Sequence, residues 1–485
     1  MLFNSLDFIG FLIIVIPLYF ILPHKLRWVL LLLASYFFYM SWNYSYIVLI
    51  LFTTSINYFM GILMGRSKTK KARKTYLIIG LVCSLGVLFG FKYLNFVIEI
   101  VNGALRIVRS NYSFENLNIL LPVGISFFTL QTLSYTIDVY RGKKKVEKHF
   151  GIFALYVSFF PQLVAGPIER SEHLLPQFFE KHSFDPDRFR TGLYSMLAGF
   201  FMKMVIADRL AISVNAVYGA PDEFKGLPLV FATLAFAVQI YCDFAGYSLI
   251  AIGTAEILGF RLMKNFNSPY LAMSIKDFWD RWHISLTTWL RDYLYIPLGG
   301  NRKGVVRQYI NIFLVFAISG LWHGASFAFI FWGMLHAVYQ IIDRLLRPAT
   351  DRLRYSPNKG IKYGYLSFSY IITMICVMFA WIFFRAGTLE NSVVILKNMF
   401  SFSASQFTEA SVLSNMDVQD KWVAVIACAY LFISEIFNAR KSLISWIEKR
   451  PLFLRHAFIV IAILVIIVFG IYGENVVNEF IYFQF

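Results

Sequence analysis

The run QYINIFLVFAISGLWHGASFAFIFWGMLHAVYQII, residues 308–342, is apolar almost throughout and about twice as long as one bilayer crossing needs at about 1.5 Å per residue. It reads as a helical hairpin. Near its centre sits His323, 16 residues from Arg307 and 21 from Arg344, which places an ionisable ring deep in the bilayer or toward its outer side. Such groups are costly there, and their default reading is functional. Desolvation favours the neutral imidazole, the form a general base needs. The competing reading is packing: Gly320 and Gly324 form a G-x-x-x-G pair that brings two helices together, with His323 bonded to a neighbouring carbonyl. It accounts for the glycines but not for the histidine.

Composition extends this reading to the whole chain. The 485 residues are 58% hydrophobic and 18% aromatic, with 15% charged, a balance that would leave a soluble globule covered in apolar surface. The expected fold is therefore an all-α polytopic membrane protein, one integral-membrane domain over residues 1–485, surrounded by membrane lipids. The net charge of +17 comes from short basic runs between apolar segments, so it reads as topology rather than as a nucleic-acid footprint, and no nucleic acid is expected as partner. Cys83, Cys242, Cys376 and Cys428 lie in apolar stretches without paired spacing, which suggests neither a disulfide frame nor a metal site. The first apolar run lacks a basic n-region and a cleavage site and reads as a retained helix.

Candidate spans fall near 5–22, 28–43, 46–65, 76–100, 118–140, 192–216, 228–259, 308–342, 365–385, 421–439 and 454–473. With the hairpin counted twice and residues 150–166 read as re-entrant, about 11–13 membrane helices are expected. The span 228–259 is long enough to be tilted or broken. Basic runs at 23–27, 66–74 and 141–148 can all be cytoplasmic if the N-terminus is outside, and the same parity puts the C-terminal tail outside.

A second histidine, His283, lies in SIKDFWDRWHISLTTWLRDYLYIPLGGNRKG, residues 274–304. At about 100° per residue, Ile275, Phe278, Trp279, Trp282, Leu286, Trp289, Leu290 and Tyr293 fall within an arc of about 120°. This predicts one amphipathic helix lying in the cytoplasmic membrane interface, started by Ser274 and Asp277 and stopped by Pro297, Gly299 and Gly300. His283 falls at the boundary of its two faces, and spacing alone makes it a surface histidine paired with Asp280 or Thr287. Gln239, Asp243 and Glu256 are further polar groups at membrane depth.

Six stretches carry a resemblance: PVGISFFTLQTLSYTIDVYRG (122–142), FFPQLVAGPIER (159–170), GFFMKMVIADRLA (199–211), YCDFAGYS (241–248), NFNSPYLAMSIKDFWDRWHISLTTWLRDYLYIPLGGNRKG (265–304) and SGLWHGASF (319–327). Together they resemble the membrane-bound O-acyltransferase (MBOAT) family, in its bacterial polysaccharide-acetylating branch. The resemblance implies a ring of helices around a thin central layer, with a tunnel joining a cytoplasmic donor site to an outer funnel. It implies that His323 matches the family's catalytic histidine and His283 its second signature position. Asp280 and Leu249 depart from the residues common at those places, which bears on local contacts.

Resemblance and physical reading lead to one expectation: an acyl group, acetyl in the first instance, moves from a cytoplasmic thioester such as acetyl-CoA to an extracytoplasmic polysaccharide. His323 would be the base, with His283 orienting the donor or assisting the proton. Arg281, Arg291, Arg302 and Lys303 would hold CoA phosphates, Asn267 would be an oxyanion partner, and Trp282, Trp322 and Asp243 would line the substrate path. No cofactor is expected to stay bound. The branch implies a separate extracytoplasmic acetyltransferase of the SGNH-hydrolase type as partner, docking on the outer funnel or the exposed tail, and a place in a bacterial cytoplasmic membrane. Two alternatives stand: D-alanyl transfer to teichoic acid, and a transporter or flippase in which Asp243, Glu256 and His323 form an ion path.

Overall fold

The computed structural model describes residues 1–109, 112–119, 121–164, 166–401, 416–472 and 480–481. Among these residues all regular structure is helical, and six helices are long and apolar enough to cross a membrane: Tyr44–Arg66, Lys70–Ile107, Leu227–Leu258, Val305–His323, Lys359–Ala386 and Leu452–Phe469. The protein is an all-α polytopic membrane protein. Part of the long loop expected between residues 386 and 420, and most of the C-terminal tail, lie outside the described residues.

The chain forms two compact units, Met1–Leu193 with Ile250–Met263, and Tyr194–Leu249 with Lys264–Phe485. In the first, Asn57 joins three apolar helices through its side-chain amide, as a medium without water favours. Asn57 Nδ2 donates to Thr53 O and to Ser84 Oγ, both at 2.8 Å, while its Oδ1 accepts from Thr136 Oγ1 at 2.6 Å. The stretch expected to be re-entrant is two short buried helices, Phe150–Ser158 and Phe160–Leu163. Its backbone is met by side chains: Gln131 Nε2 and Gln162 Nε2 both donate to Tyr156 O, at 2.6 Å and 3.0 Å.

The second unit carries both histidines. The 308–342 stretch is the expected hairpin, with helices Val305–His323 and Phe327–Arg354 joined by three residues. Gly320 lets the helices close: a Cβ there would collide with the carbonyl oxygen of Phe329. The long helix Leu227–Leu258 is unbroken.

The segment after Ser274 departs from expectation. It is not one interfacial helix but two short ones, Ile275–Arg281 and Ile284–Leu290, separated by Trp282 and His283. Ser274 does cap the first, its hydroxyl accepting from Asp277 N at 3.2 Å. The apolar arc does not face lipid: Trp279, Trp282 and Trp289 are all buried, and Trp282 packs against Phe266, Tyr270, Phe278 and Trp381. Periodicity reported an apolar face, and protein rather than membrane covers it. Trp282→Asp is therefore expected to lower membrane yield severely, by stranding a charge among aromatic rings, while Thr288→Asp on the half-buried side has a smaller effect. Immunoblotting of membranes at equal expression measures both, and equal yields would refute the burial.

Candidate active site

His323 is the last residue of the helix Val305–His323 and is 3% exposed. Its ring is enclosed by aromatic neighbours, with centroids at 4.9 Å for Trp322, 5.1 Å for Trp332 and 5.5 Å for Phe384. The bend at Gly324 ends the helix there and leaves the imidazole at the closed end of the hairpin.

His283 is not on the surface. It is wholly buried, and its backbone adopts the left-handed conformation (φ 43°, ψ 53°), which costs a non-glycine residue about 1–3 kcal/mol. The break between the two short helices turns the ring inward, to a centroid distance of 6.3 Å from the ring of His323. Burial pushes the His283 imidazole down to about 3, so it is neutral across the physiological range.

Asn265 sets its tautomer. The Oδ1 of Asn265 accepts from Ser285 Oγ at 2.9 Å and lies 3.1 Å from His283 Nδ1, while its Nδ2 donates to Ser248 Oγ at 3.2 Å. An amide oxygen can only accept, so His283 carries its proton on Nδ1 and presents Nε2 as an acceptor. The two imidazoles are ring neighbours, 6.3 Å apart by centroid.

A cavity of about 290 Å³ approaches this pair. It climbs one face of the helix Val305–His323 past Ile312, Val315, Phe316 and Ser319, so its inner end lies four residues, about 6 Å, below His323. Its outer part carries Lys276, Arg291, Arg344 and Arg347 together with Asp280, and Asp343 lies 3.4 Å from Arg347. The walls are apolar and the mouth is basic.

The other expected site residues divide. Trp322 lies by both histidines, its ring 5.9 Å from that of His283. Arg291 lines the cavity mouth, although Asp292 pairs with it at 2.8 Å. Arg281 is bound to Asp277 at 2.7 Å, and Trp282 has no open face. Asn267 is exposed and accepts from Lys264 Nζ at 2.8 Å, so Asn265, two residues earlier, is the one that meets His283. Asp280 pairs with Lys276 rather than with His283.

Asp243 is buried in an ion cluster, with Lys203 Nζ 2.6 Å from its Oδ1 and 2.8 Å from Asp208 Oδ1. The tail reaches the same place: Ile481 N donates to Asp243 Oδ2 at 2.7 Å, and Phe480 packs on Phe244 and Tyr247. Phe244 in turn meets the His283 ring edge-on at 4.7 Å. The tail was expected to be exposed, yet Phe480 and Ile481 are buried.

A family model for the membrane-bound O-acyltransferases matches residues 145–384, which include both histidines. A probable alginate O-acetylase of Pseudomonas putida is 38% identical over 440 residues, 90% of this chain and 87% of that protein. The chain belongs to the membrane-bound O-acyltransferase family. This O-acyltransferase is also 36% identical to a peptidoglycan O-acetyltransferase of Helicobacter pylori, over 76% of this chain and 73% of that protein. A teichoic acid D-alanyltransferase of Bacillus subtilis is 30% identical over 50% of the chain.

Proposed function

We propose that the enzyme takes acetyl groups from cytoplasmic acetyl-CoA and passes them toward an extracytoplasmic polysaccharide, through a separate acetyltransferase of the SGNH type. The observation that carries this reading is the cavity: basic at its mouth, apolar along its walls, and ending one helical turn from His323. A donor with phosphates at one end and a thioester at the other matches both ends. From Ile312 to Ser319 the cavity follows about 10 Å of helix, room for the thioester end of a pantetheine arm, and stops about 6 Å short of His323. Lys276, Arg344 and Arg347 join Arg291 as phosphate partners, in place of Arg281, Arg302 and Lys303.

His323 takes the proton of the acceptor hydroxyl as that oxygen attacks the thioester carbonyl carbon. The C–S bond of the tetrahedral intermediate then breaks, and the leaving CoA thiolate recovers the proton from the imidazolium. His283, neutral and fixed by Asn265 with Nε2 as an acceptor, stands beside His323 as a second group able to take part in moving that proton. The relatives named for alginate and peptidoglycan acetylation support acetyl transfer to a polysaccharide over D-alanyl transfer, because they cover far more of the chain. The ion-path alternative loses its main carboxylate, since Asp243 is neutralised by Lys203.

The basic mouth provides the test. Arg344→Glu with Arg347→Glu is expected to raise KM for acetyl-CoA about tenfold or more, the loss of one or two charge-assisted bonds, with kcat nearly unchanged. A donor lacking the nucleotide, such as acetyl-pantetheine, should be indifferent to the change. An unchanged KM for acetyl-CoA would remove the cavity as donor site. Orientation is tested separately. Cysteines at 70, 144 and 354 should resist an impermeant thiol reagent applied to intact cells, and ready labelling at 70 or 144 would reverse the donor side.

A further inference from the structure

We propose that His336 is a positioning residue that locks the Trp279 indole in the cavity wall, and that the two together restrict the donor to short acyl chains. This rests on the cavity being the donor's. His336, on the second hairpin helix, is completely buried and surrounded by rings: Phe278, Phe316, Trp332 and Tyr339. Its Nδ1 accepts from Trp279 Nε1 at 3.3 Å, which assigns the proton to Nε2. No other hydrogen bond to its ring occurs among the described residues, so burial of this polar side chain is offset through Trp279 alone. One turn further along the same helix, Gln340 Nε2 reaches Ile275 O at 3.4 Å, a second and weaker tie to the helix that bears Trp279.

The position of the indole gives that bond a consequence. Trp279 lines the cavity, its ring 5.2 Å from Phe316 and 5.8 Å from Trp332, and Trp332 in turn is 5.1 Å from His323. The tryptophan therefore stands between the cavity and the rings that enclose the base. A donor whose thioester stops at the inner end of the cavity lodges its acyl methyl against Trp279, Phe316 and Ser319. An indole free to rotate would yield to a longer chain, whereas one held by His336 does not. Apolar walls distinguish chains by about 10–200-fold per methylene, a range large enough to read.

The experiment compares kcat/KM for acetyl-, propionyl- and butyryl-CoA in purified wild type, Trp279→Ala, Trp279→Phe, His336→Phe and His336→Asn. The butyryl-to-acetyl ratio is expected to rise at least about tenfold in Trp279→Ala. It should rise several-fold in Trp279→Phe and His336→Phe, which keep aromatic packing and lose the hydrogen bond. His336→Asn, with an acceptor oxygen near the Nδ1 position, should return the ratio toward wild type. A uniform loss on all three donors, with the ratio unchanged in Trp279→Phe and His336→Phe, would reduce His336 to a packing residue and overturn the inference. A wild-type enzyme that turns over none of the three esters would overturn the donor reading itself, and this inference with it.

Discussion

His323→Gln is expected to accumulate normally in the membrane, to bind acyl-CoA, and to transfer acyl groups about 10²–10⁴-fold more slowly than wild type. Donor binding is expected to survive because, on the proposed reading, the base acts on the acceptor proton and the proposed phosphate partners Lys276, Arg344 and Arg347 line the other end of the cavity. The packing alternative predicts another pattern. There Gln, polar and of similar reach, largely preserves activity, while Gly320→Leu removes both yield and activity by forcing the hairpin helices apart. Gly320→Leu is damaging on either account, so the Gln variant decides. Retention of more than about a tenth of wild-type transfer at equal abundance would fall short of acid–base catalysis. The base would then be sought at His283, whose Nε2 is already poised to accept.

Lys203→Met has the largest expected effect on stability. The ammonium lies between two carboxylates, and the side chains of Lys203, Asp208 and Asp243 are 1%, 1% and 4% exposed. Removing the cation leaves buried negative charge without its counter-ion, at a cost of about 3–5 kcal/mol. Membrane yield and thermal tolerance in detergent should both collapse. Combining Lys203→Met with Asp208→Asn and Asp243→Asn removes the charges together and is expected to restore much of the yield. Wild-type tolerance in Lys203→Met alone would show that the cluster does not stabilise this unit.

Much of the fold was legible because hydropathy and length are local properties. The hairpin, the helix Leu6–Ile21 and the glycine packing at Gly320 all follow from residue order. The role of the tryptophans was not legible, because periodicity reports that a face is apolar and not what covers it. The break at His283 was also hidden: a left-handed residue within a helix-compatible run leaves no pattern when it is not glycine. Asn265 was not found as the partner of His283, which spacing pairs with Asp280 or Thr287, because the contact spans 18 residues of chain, where spacing carries no information. His336 could have been found. It is another histidine in the same apolar hairpin, nearer the basic end at Arg344 than His323 is, and an ionisable group in an apolar span is a candidate by default.

The most direct measurement is turnover of labelled acetyl-CoA by the purified protein in detergent, without any gradient, in the presence of a polysaccharide acceptor or its acetyltransferase partner. The expected result is release of CoA matched by acetyl groups on the acceptor, with His323→Gln binding the donor but releasing almost none. Wild-type protein that neither binds acetyl-CoA nor releases CoA under these conditions would contradict the account.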